Sequence, residues 1–151
     1  MWKLADEYKG MPGEENFESP KKFESVDMFG FYVDGEGNIF FTVPVLFSAL
    51  KMQPDGVLKT FGKAGGGRGN FGVVAGIVTD RQGNIYITDR LRSVVMIFDS
   101  SFRFQLEFGY RGLKTSSLVV PDDIAINDDE GLIYVAQAAN RGVSVFRIFE
   151  N

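Results

Sequence analysis

Residues 76–89 read GIVTDRQGNIYITD: an apolar run, a polar turn that contains glycine, and a second apolar run. This order is typical of two β-strands joined by a tight turn. The pattern recurs, since residues 34–40 read DGEGNIF and residues 127–134 read NDDEGLIY. The glycine before the second apolar run lies 46 residues and then 48 residues further on in successive copies. A spacing this regular predicts a repeat protein.

Each repeat divides into short apolar segments separated by turns, and no segment of ~12 residues has the 3.6-residue period of a helix. Four antiparallel strands in a unit of ~40–50 residues are typical of a β-propeller blade. We therefore predict an all-β chain that forms a single domain of three four-stranded blades. The predicted blades cover approximately residues 23–62, 72–109 and 119–149.

The end of the first repeat and the whole of the second resemble the NHL repeat, in which FG precedes GI-x-x-D-x-x-GNIY-x-x-D and then V-x-x-FD. The third repeat departs from this pattern, because Asp123, Asn127 and Gln137 stand where the second repeat has one glycine and two aspartates. The resemblance covers roughly residues 23–149, and it implies a propeller that closes with about six blades. It implies little about function, because one fold hosts many functions. The matching residues are Phe61, Gly62, Gly76, Ile77, Asp80, Gly83, Asn84, Ile85, Tyr86, Asp89, Ile97, Phe98 and Asp99.

Three blades are half of such a ring, and a half ring leaves two apolar blade faces open to solvent. The third repeat ends near residue 149 without a fourth strand, while residues 2–10 (WKLADEYKG) are similar to residues 104–112 (FQLEFGYRG). We therefore expect a homodimer that closes a ring of about six blades. In this hypothesis the N-terminal strand, at residues 1–10, completes the third blade of the partner chain. The alternative is that the sequence is half of a longer six-blade protein.

The composition excludes several kinds of site. The chain has no Cys and no His, which removes disulfides, thiolate nucleophiles, the usual zinc sites and every His-based triad. The formal net charge of −4 gives no general attraction to nucleic acid or anionic lipid. No apolar run approaches the ~20 residues of a membrane span. The start lacks the order of a signal peptide, but a signal could have been removed, so the compartment stays open between cytoplasm and export.

Sorting the predicted loops by the end of the blade from which they emerge separates the charges. The short turns carry mostly acidic residues, which we interpret as turn formers. The connectors between blades and the loops between second and third strands share the opposite face, which is mixed in charge. We predict that this face binds a protein partner, and that RNA is the alternative ligand of the same face. The candidate binding residues are Lys63, Arg68, Arg90, Arg92 and Arg141.

Asp122 and Asp123 precede the inner strand of the third repeat, at the expected mouth of the axial channel. Carboxylates of this kind suit a hard cation. Some more distant six-bladed hydrolases and lyases hold Ca²⁺ in such a channel, so a Ca²⁺-dependent lyase or hydrolase is the second alternative. Otherwise we expect no cofactor and no catalytic residue.

The glycine-rich segment FGKAGGGRGNFG, at residues 61–72, is compatible with three interpretations. As a phosphate cradle it lacks the following Lys-Ser/Thr and the helix that such loops require. As an RGG-like RNA contact it is a single copy. We therefore interpret it as a flexible connector between blades, in which glycine permits unusual backbone angles.

Overall fold

The computed structural model describes residues 27–138 and 141–148, and in them the chain is all-β apart from one short 3₁₀ turn at Pro44–Leu46. The strands form three antiparallel sheets with the orders β1-β2-β3-β4, β5-β6-β7-β8 and β9-β10-β11. We call these sheets blades one, two and three. The strands are β1 (Phe29–Val33), β2 (Ile39–Val43), β3 (Ser48–Met52), β4 (Leu58–Phe61), β5 (Val74–Thr79), β6 (Ile85–Asp89), β7 (Val94–Phe98), β8 (Phe104–Gly109), β9 (Pro121–Asn127), β10 (Leu132–Gln137) and β11 (Gly142–Arg147).

The predicted all-β class and the order of strands are confirmed. Blade three has three strands within the described residues, because β11 pairs with β10 and no fourth strand follows it there. The predicted N-terminal strand at residues 1–10 lies outside the described residues. No helix of the described part of the chain is both long and apolar enough to cross a membrane.

The acidic turns form because a carboxylate accepts hydrogen bonds from its own turn. In blade two, Asp80 Oδ1 accepts from the backbone N–H of Gln82 at 3.0 Å and of Asn84 at 2.8 Å. In blade one, Asp34 Oδ1 accepts in the same way from the N–H of Glu36 and of Asn38, each at 2.9 Å. Such bonds mimic a backbone turn and fix its geometry. The interpretation of these acids as turn formers is therefore confirmed.

Two apolar layers hold the three blades together. The first layer lies between blades one and two and includes Phe40 and Phe61 from one side and Ile77, Ile87 and Phe98 from the other. Burial of several aromatic rings in one layer supplies most of the driving force for this packing. The second layer lies between blades two and three, where Val78, Val95, Leu118, Ile133 and Val135 are buried.

Glycine allows the inner strands of neighbouring blades to approach each other. A Cβ on Gly30 would lie 2.1 Å from the carbonyl oxygen of Ala75, and a Cβ on Gly76 would lie 2.8 Å from the Cα of Asp123. Both distances are shorter than any real contact, so only glycine fits at these two positions. The β1 and β9 strands therefore pack directly beside β5.

Candidate binding face

The loops of the three blades emerge at two opposite ends of the strands. The connector face is formed by residues 44–47, 62–73, 90–93, 110–120 and 138–141. The turn face is formed by residues 34–38, 53–57, 80–84, 99–103 and 128–131. In the last of the connector segments, at residues 138–141, the structure describes Ala138 and Arg141. All five predicted binding residues lie on the connector face.

Three of the predicted binding residues are free to meet a partner. Lys63, Arg68 and Arg141 are exposed. In the part of the chain that the structure describes, none of them forms an ion pair. The guanidinium of Arg68 lies 5.8 Å from the centre of the Phe104 ring, which holds the side chain over blade two without neutralising its charge.

Arg92, by contrast, is paired inside the chain. Its Nη1 and Nη2 donate to Glu107 Oε2 and Oε1 at 2.9 and 2.7 Å, and Nη1 also donates to the carbonyl of Asn70 at 2.8 Å. The Arg92 side chain is 11% exposed and that of Glu107 is 1% exposed. A two-pronged, mostly buried pair of this kind orients both partners. Arg92 therefore holds the connector to β8.

Burial alone would raise the pKa of Glu107. Hydrogen bonds from Arg92 and from the Gly69 amide, together with the charge of Arg92 and the Tyr110 hydroxyl, outweigh this effect and lower the pKa of Glu107. The Gly69 N–H donates to Glu107 Oε2 at 3.0 Å. The carboxylate is therefore held in its charged form by groups from three separate loops and strands.

The glycine-rich connector at residues 62–73, which we predicted to be a flexible link between blades, is anchored to the blades at several points. Phe71 is fully buried in the first apolar layer, and its N–H donates to the Lys63 carbonyl at 2.7 Å. Asp89 Oδ2 accepts from the Gly72 amide at 2.6 Å, and Oδ1 accepts from the Val73 amide at 3.1 Å. The connector is thus anchored by one ring and two buried hydrogen bonds.

Arg90 connects the inner ends of all three blades. It forms an ion pair with Asp122 at the start of β9. Its guanidinium also lies 4.6 Å from the centre of the Phe29 ring in β1. Arg90 is half-buried, and its guanidinium already contacts Asp122 and Phe29, so it is less accessible to a partner than an exposed arginine.

The predicted metal ligands Asp122 and Asp123 lie within β9, not before it. Asp122 is paired with Arg90, and Asp123 Oδ1 accepts from the Ile124 amide at 2.8 Å. Residues 27–138 and 141–148 contain no group of three or more His, Cys, Asp or Glu side chains that could hold a metal ion. The geometry of these two residues therefore gives no support to the predicted Ca²⁺ site.

The turn face carries a cleft of about 380 Å³ between the turns of blades one and two. It is lined by charged and polar side chains that include Asp34, Glu36, Lys51, Asp80 and Arg81. Arg81 Nη1 donates to Asp129 at 2.6 Å and so links the turns of blades two and three. The carboxylates of Asp34 and Asp80, which line this cleft, already accept hydrogen bonds within their own turns.

The connector face also exposes several large apolar side chains that are not among the predicted binding residues. Leu113 is 97% exposed and Leu91 is 72% exposed. Apolar residues in a repeat look alike whether they are buried or exposed, so no local signal distinguishes them. Among the described residues of the turn face, Val57 is the one large apolar side chain that is exposed. The exposed large apolar residues of the connector face are Val45, Phe47, Leu91, Tyr110 and Leu113.

No family model matches the chain. Among curated proteins, the chain is similar to the protein brain tumor of Drosophila melanogaster, with 31% identity over 77 residues. This match covers 51% of the chain but 7% of that protein, so the chain spans a small part of its relative.

Solved structures of similar fold have low sequence identity to this chain. A catalytically inactive virginiamycin B lyase from Staphylococcus aureus, crystallised with quinupristin, is 13% identical with a TM-score of 0.55, over 83% of this chain and 42% of that one. A streptogramin B lyase is 16% identical with a TM-score of 0.55, over 80% and 40%. Hydrazine synthase of Kuenenia stuttgartiensis is 14% identical with a TM-score of 0.62, over 79% and 32%. The chain thus spans less than half of each of these proteins. Together with the three antiparallel sheets, these likenesses show that the chain has a β-propeller fold and carries three of its blades.

Proposed function

We propose that this chain is a non-catalytic, NHL-type propeller module that binds a protein partner through its connector face. The observation that carries the proposal is the concentration of exposed apolar side chains on that face, with Leu91 and Leu113 as the most exposed. Protein interfaces place apolar and aromatic anchors at their centre and polar groups around them. Single-stranded RNA requires instead a positively charged groove with stacking aromatic rings.

The charged residues of the connector face fit the rim of such an interface. Arg68, Lys63 and Arg141 are exposed and have no ion pair among the described residues. Arginine is enriched among the residues that contribute most to binding, because its guanidinium both packs and donates. We assign Arg90 and Arg92 a positioning role instead, because their guanidinium groups already have partners in the chain.

Relationship to NHL proteins is part of the same proposal. It is supported by the GI-x-x-D-x-x-GNIY-x-x-D pattern of residues 76–89 and by the similarity to the protein brain tumor. The lyases among the structural relatives support only the fold, since their identity to this chain is below 25%.

We further propose that two copies of the chain close one ring of about six blades. Phe31 is 67% exposed on blade one, whereas Ile77, at the same position of blade two, is 3% exposed because blade one covers it. Val143 is 60% exposed on blade three, whereas Val95, at the same position of blade two, is fully buried under blade three. Each end of the half ring therefore has the apolar surface that the other end covers in a closed ring.

The binding proposal is tested with variants of the connector face. A tagged chain is used to capture partner proteins, and a captured partner is then purified. The dissociation constant of its complex with this chain is measured by calorimetry. We expect Leu91→Glu combined with Leu113→Glu to weaken binding by about 100-fold, or ~2.7 kcal/mol. The matched control is Val57→Glu, which changes an exposed apolar residue of the turn face and is expected to have no effect.

Two outcomes would contradict the proposal. Equal loss of binding in Val57→Glu would place the interaction away from the connector face. Salt-dependent binding of a fluorescent single-stranded RNA of mixed sequence, lost in Arg68→Glu, would favour the RNA alternative. The mass of the chain in solution tests the pairing of two copies separately, because a particle of 16.8 kDa is a single chain.

A further inference from the structure

A groove of about 490 Å³ lies beside β11, between the outer parts of blades two and three. Leu106, Phe108 and Tyr110 line it from blade two, and Phe146 and Ile148 line it from blade three. In the first two blades a fourth strand, β4 or β8, pairs with the third strand. In blade three the outer edge of β11 has no strand partner among residues 27–138 and 141–148. The groove is therefore where a fourth strand of blade three would lie.

The junction between blades one and two shows what fills this position. Phe61 and Phe98 meet edge to face, with ring centres 5.4 Å apart. Three further rings complete the cluster: Phe71 of the connector meets Phe61 and Phe98 at 6.2 and 5.7 Å, Phe102 stacks on Phe61 at 4.5 Å, and Phe104 of the fourth strand meets Phe98 at 5.8 Å. Aromatic pairs of this kind contribute beyond the area that they bury. The fourth strand of blade two thus brings one ring, that of Phe104, to the junction.

The junction between blades two and three has a smaller cluster, in which the buried Leu118 stands at the position of Phe71. Phe108 and Phe146, at the positions of Phe61 and Phe98, also meet edge to face, with ring centres 4.9 Å apart. Within the part of the chain that is described, no third ring joins this pair. The open groove lies on the side from which Phe104 reaches its own junction. The groove of about 490 Å³ is therefore open at the place where a fourth strand would bring a ring equivalent to Phe104.

We propose that the groove is a strand-acceptor site, and that its occupant is the segment of residues 2–10 from a second copy of this chain. The segment matches β8 and the residues after it: Trp2 corresponds to Phe104, Leu4 to Leu106 and Tyr8 to Tyr110. Added to β11, the segment pairs with an edge that has no strand partner among the described residues, and Trp2 supplies a ring at the position of Phe104. This inference goes beyond ligand binding on the connector face and rests on the proposed pairing of two copies.

The order of the chain favours a second copy over the same one. Residues 62–73 lead from the outer strand of blade one to the inner strand of blade two, and residues 110–120 do the same between blades two and three. Residues 11–28 separate the segment from β1, and these 18 residues are more than enough for the same kind of connection. The segment thus belongs on the blade that precedes blade one in the ring. In a ring of two copies, that blade is blade three of the other copy.

The test uses Trp2, which is the only tryptophan of the chain. In the wild-type protein we expect emission typical of a buried indole, weak quenching by acrylamide, and a mass of two chains. Leu106→Arg places a charge in the groove, and Leu106 is 44% exposed, so the variant can still fold. We expect it to shift Trp2 emission to the red and to weaken self-association by about tenfold or more. Val57→Arg, at a residue that is 46% exposed and far from the groove, is the matched control and should change neither property.

Each other outcome overturns a specific part of the inference. The chain could be a dimer in which acrylamide fully quenches Trp2, or in which Leu106→Arg does not change Trp2 emission. This result would contradict the strand-acceptor site but would still agree with two copies that pair through their blade faces. A monomer in which Trp2 is buried and responds to Leu106→Arg means that the segment inserts into its own chain, and it overturns the choice of a second copy. A monomer with exposed Trp2 would contradict both the strand-acceptor site and the pairing of two copies.

Discussion

Arg92 and Glu107 form a two-pronged ion pair that joins the loop after β6 to the outer strand β8, with oxygen–nitrogen distances of 2.9 and 2.7 Å. The same two side chains also hold the glycine-rich connector, through the Asn70 carbonyl and the Gly69 amide. One buried pair therefore fixes the position of two loops of the connector face. The loops that are proposed to bind a partner are presented from a rigid base.

Replacing Arg92 should destabilise the protein strongly. Arg92→Ala leaves the Glu107 carboxylate buried and without its cation, which costs about 3–5 kcal/mol. The free energy of unfolding, measured with urea, checks this value. Arg68→Ala is the control, because Arg68 is exposed and has no ion pair among the described residues. A loss below about 1 kcal/mol in Arg92→Ala, as for an exposed pair, would contradict a structural role.

The Glu107 carboxylate should also make stability depend on pH. Its pKa in the folded state is below the value of ~4.3 of an unfolded chain, so it contributes stability above that pH. This contribution is lost as the pH falls through the folded-state pKa, because the proton then binds and weakens the pair with Arg92. We expect the melting temperature of the wild type to fall more steeply below about pH 4.3 than that of Glu107→Gln. Glu130→Gln, on an exposed turn, should follow the wild-type curve.

Two glycines of the same connector should respond differently to alanine. Gly69 has φ +72°, and a Cβ there would lie 2.7 Å from the Phe104 ring. Gly66 has no atom within 4 Å of the corresponding Cβ position. We expect Gly69→Ala to cost about 1–3 kcal/mol through strain and displacement of the ring. Gly66→Ala should be neutral or slightly stabilising, since alanine restricts the unfolded chain. Thermal unfolding of both variants tests this, and equal effects would contradict the defined path of the connector.

Replacing Asp89 with alanine should lower the free energy of unfolding more than replacing any other carboxylate of blade two. It is fully buried and accepts from the amides of Gly72, Val73 and Arg92. Asp89→Ala removes the acceptor of all three amides, and each unsatisfied amide costs about 1–3 kcal/mol. In blade three, Gln137 takes the same place but accepts from one amide, that of Val119. Gln137→Ala should therefore cost about 1 kcal/mol. Similar urea midpoints for the two variants would show that the amides of Asp89 find other partners.

Hydrogen bonding in the repeated turn can be tested with Asp80. Its carboxylate accepts from the Gln82 and Asn84 amides, the Asn84 side chain and the Tyr86 hydroxyl. Asp80→Ala should cost about 2 kcal/mol, whereas Asp55→Ala, which removes one bond to the Val57 amide, should cost about 0.5 kcal/mol. Calorimetric melting temperatures check the order, and a reversed order would contradict an architectural role for the repeated motif.

The strands and turns were predictable because they depend on neighbours in the sequence. Residues 76–89 place an apolar run, a turn with Asp80 and Gly83, and a second apolar run in direct succession, and β5 and β6 follow that order. In blades one and two this turn is closed by a carboxylate that accepts from amides two and four residues further on. Contacts at such short separations leave a signature that can be read locally.

The candidate site was predictable only in part. The five cations of the connector face were found, because loops at one end of antiparallel strands must share a face. Which of these cations are already paired inside the chain was not predictable, because their partners are distant in sequence. Glu107 lies 15 residues from Arg92, and Asp122 lies 32 residues from Arg90. The exposed Leu91 and Leu113 also escaped prediction, because apolar composition alone does not separate an anchor from a core residue.

Local sequence is thus sufficient for the repeat, the order of strands and the chemistry of the turns, because strand alternation and turn bonds act over a few residues. The packing of the blades determines which side chains remain for a partner. Burial and pairing bring together residues from different repeats, so Phe146 is left with a groove where Phe98 has the ring of Phe104. That difference arises because blade two has the fourth strand β8, whereas blade three has no fourth strand among the described residues.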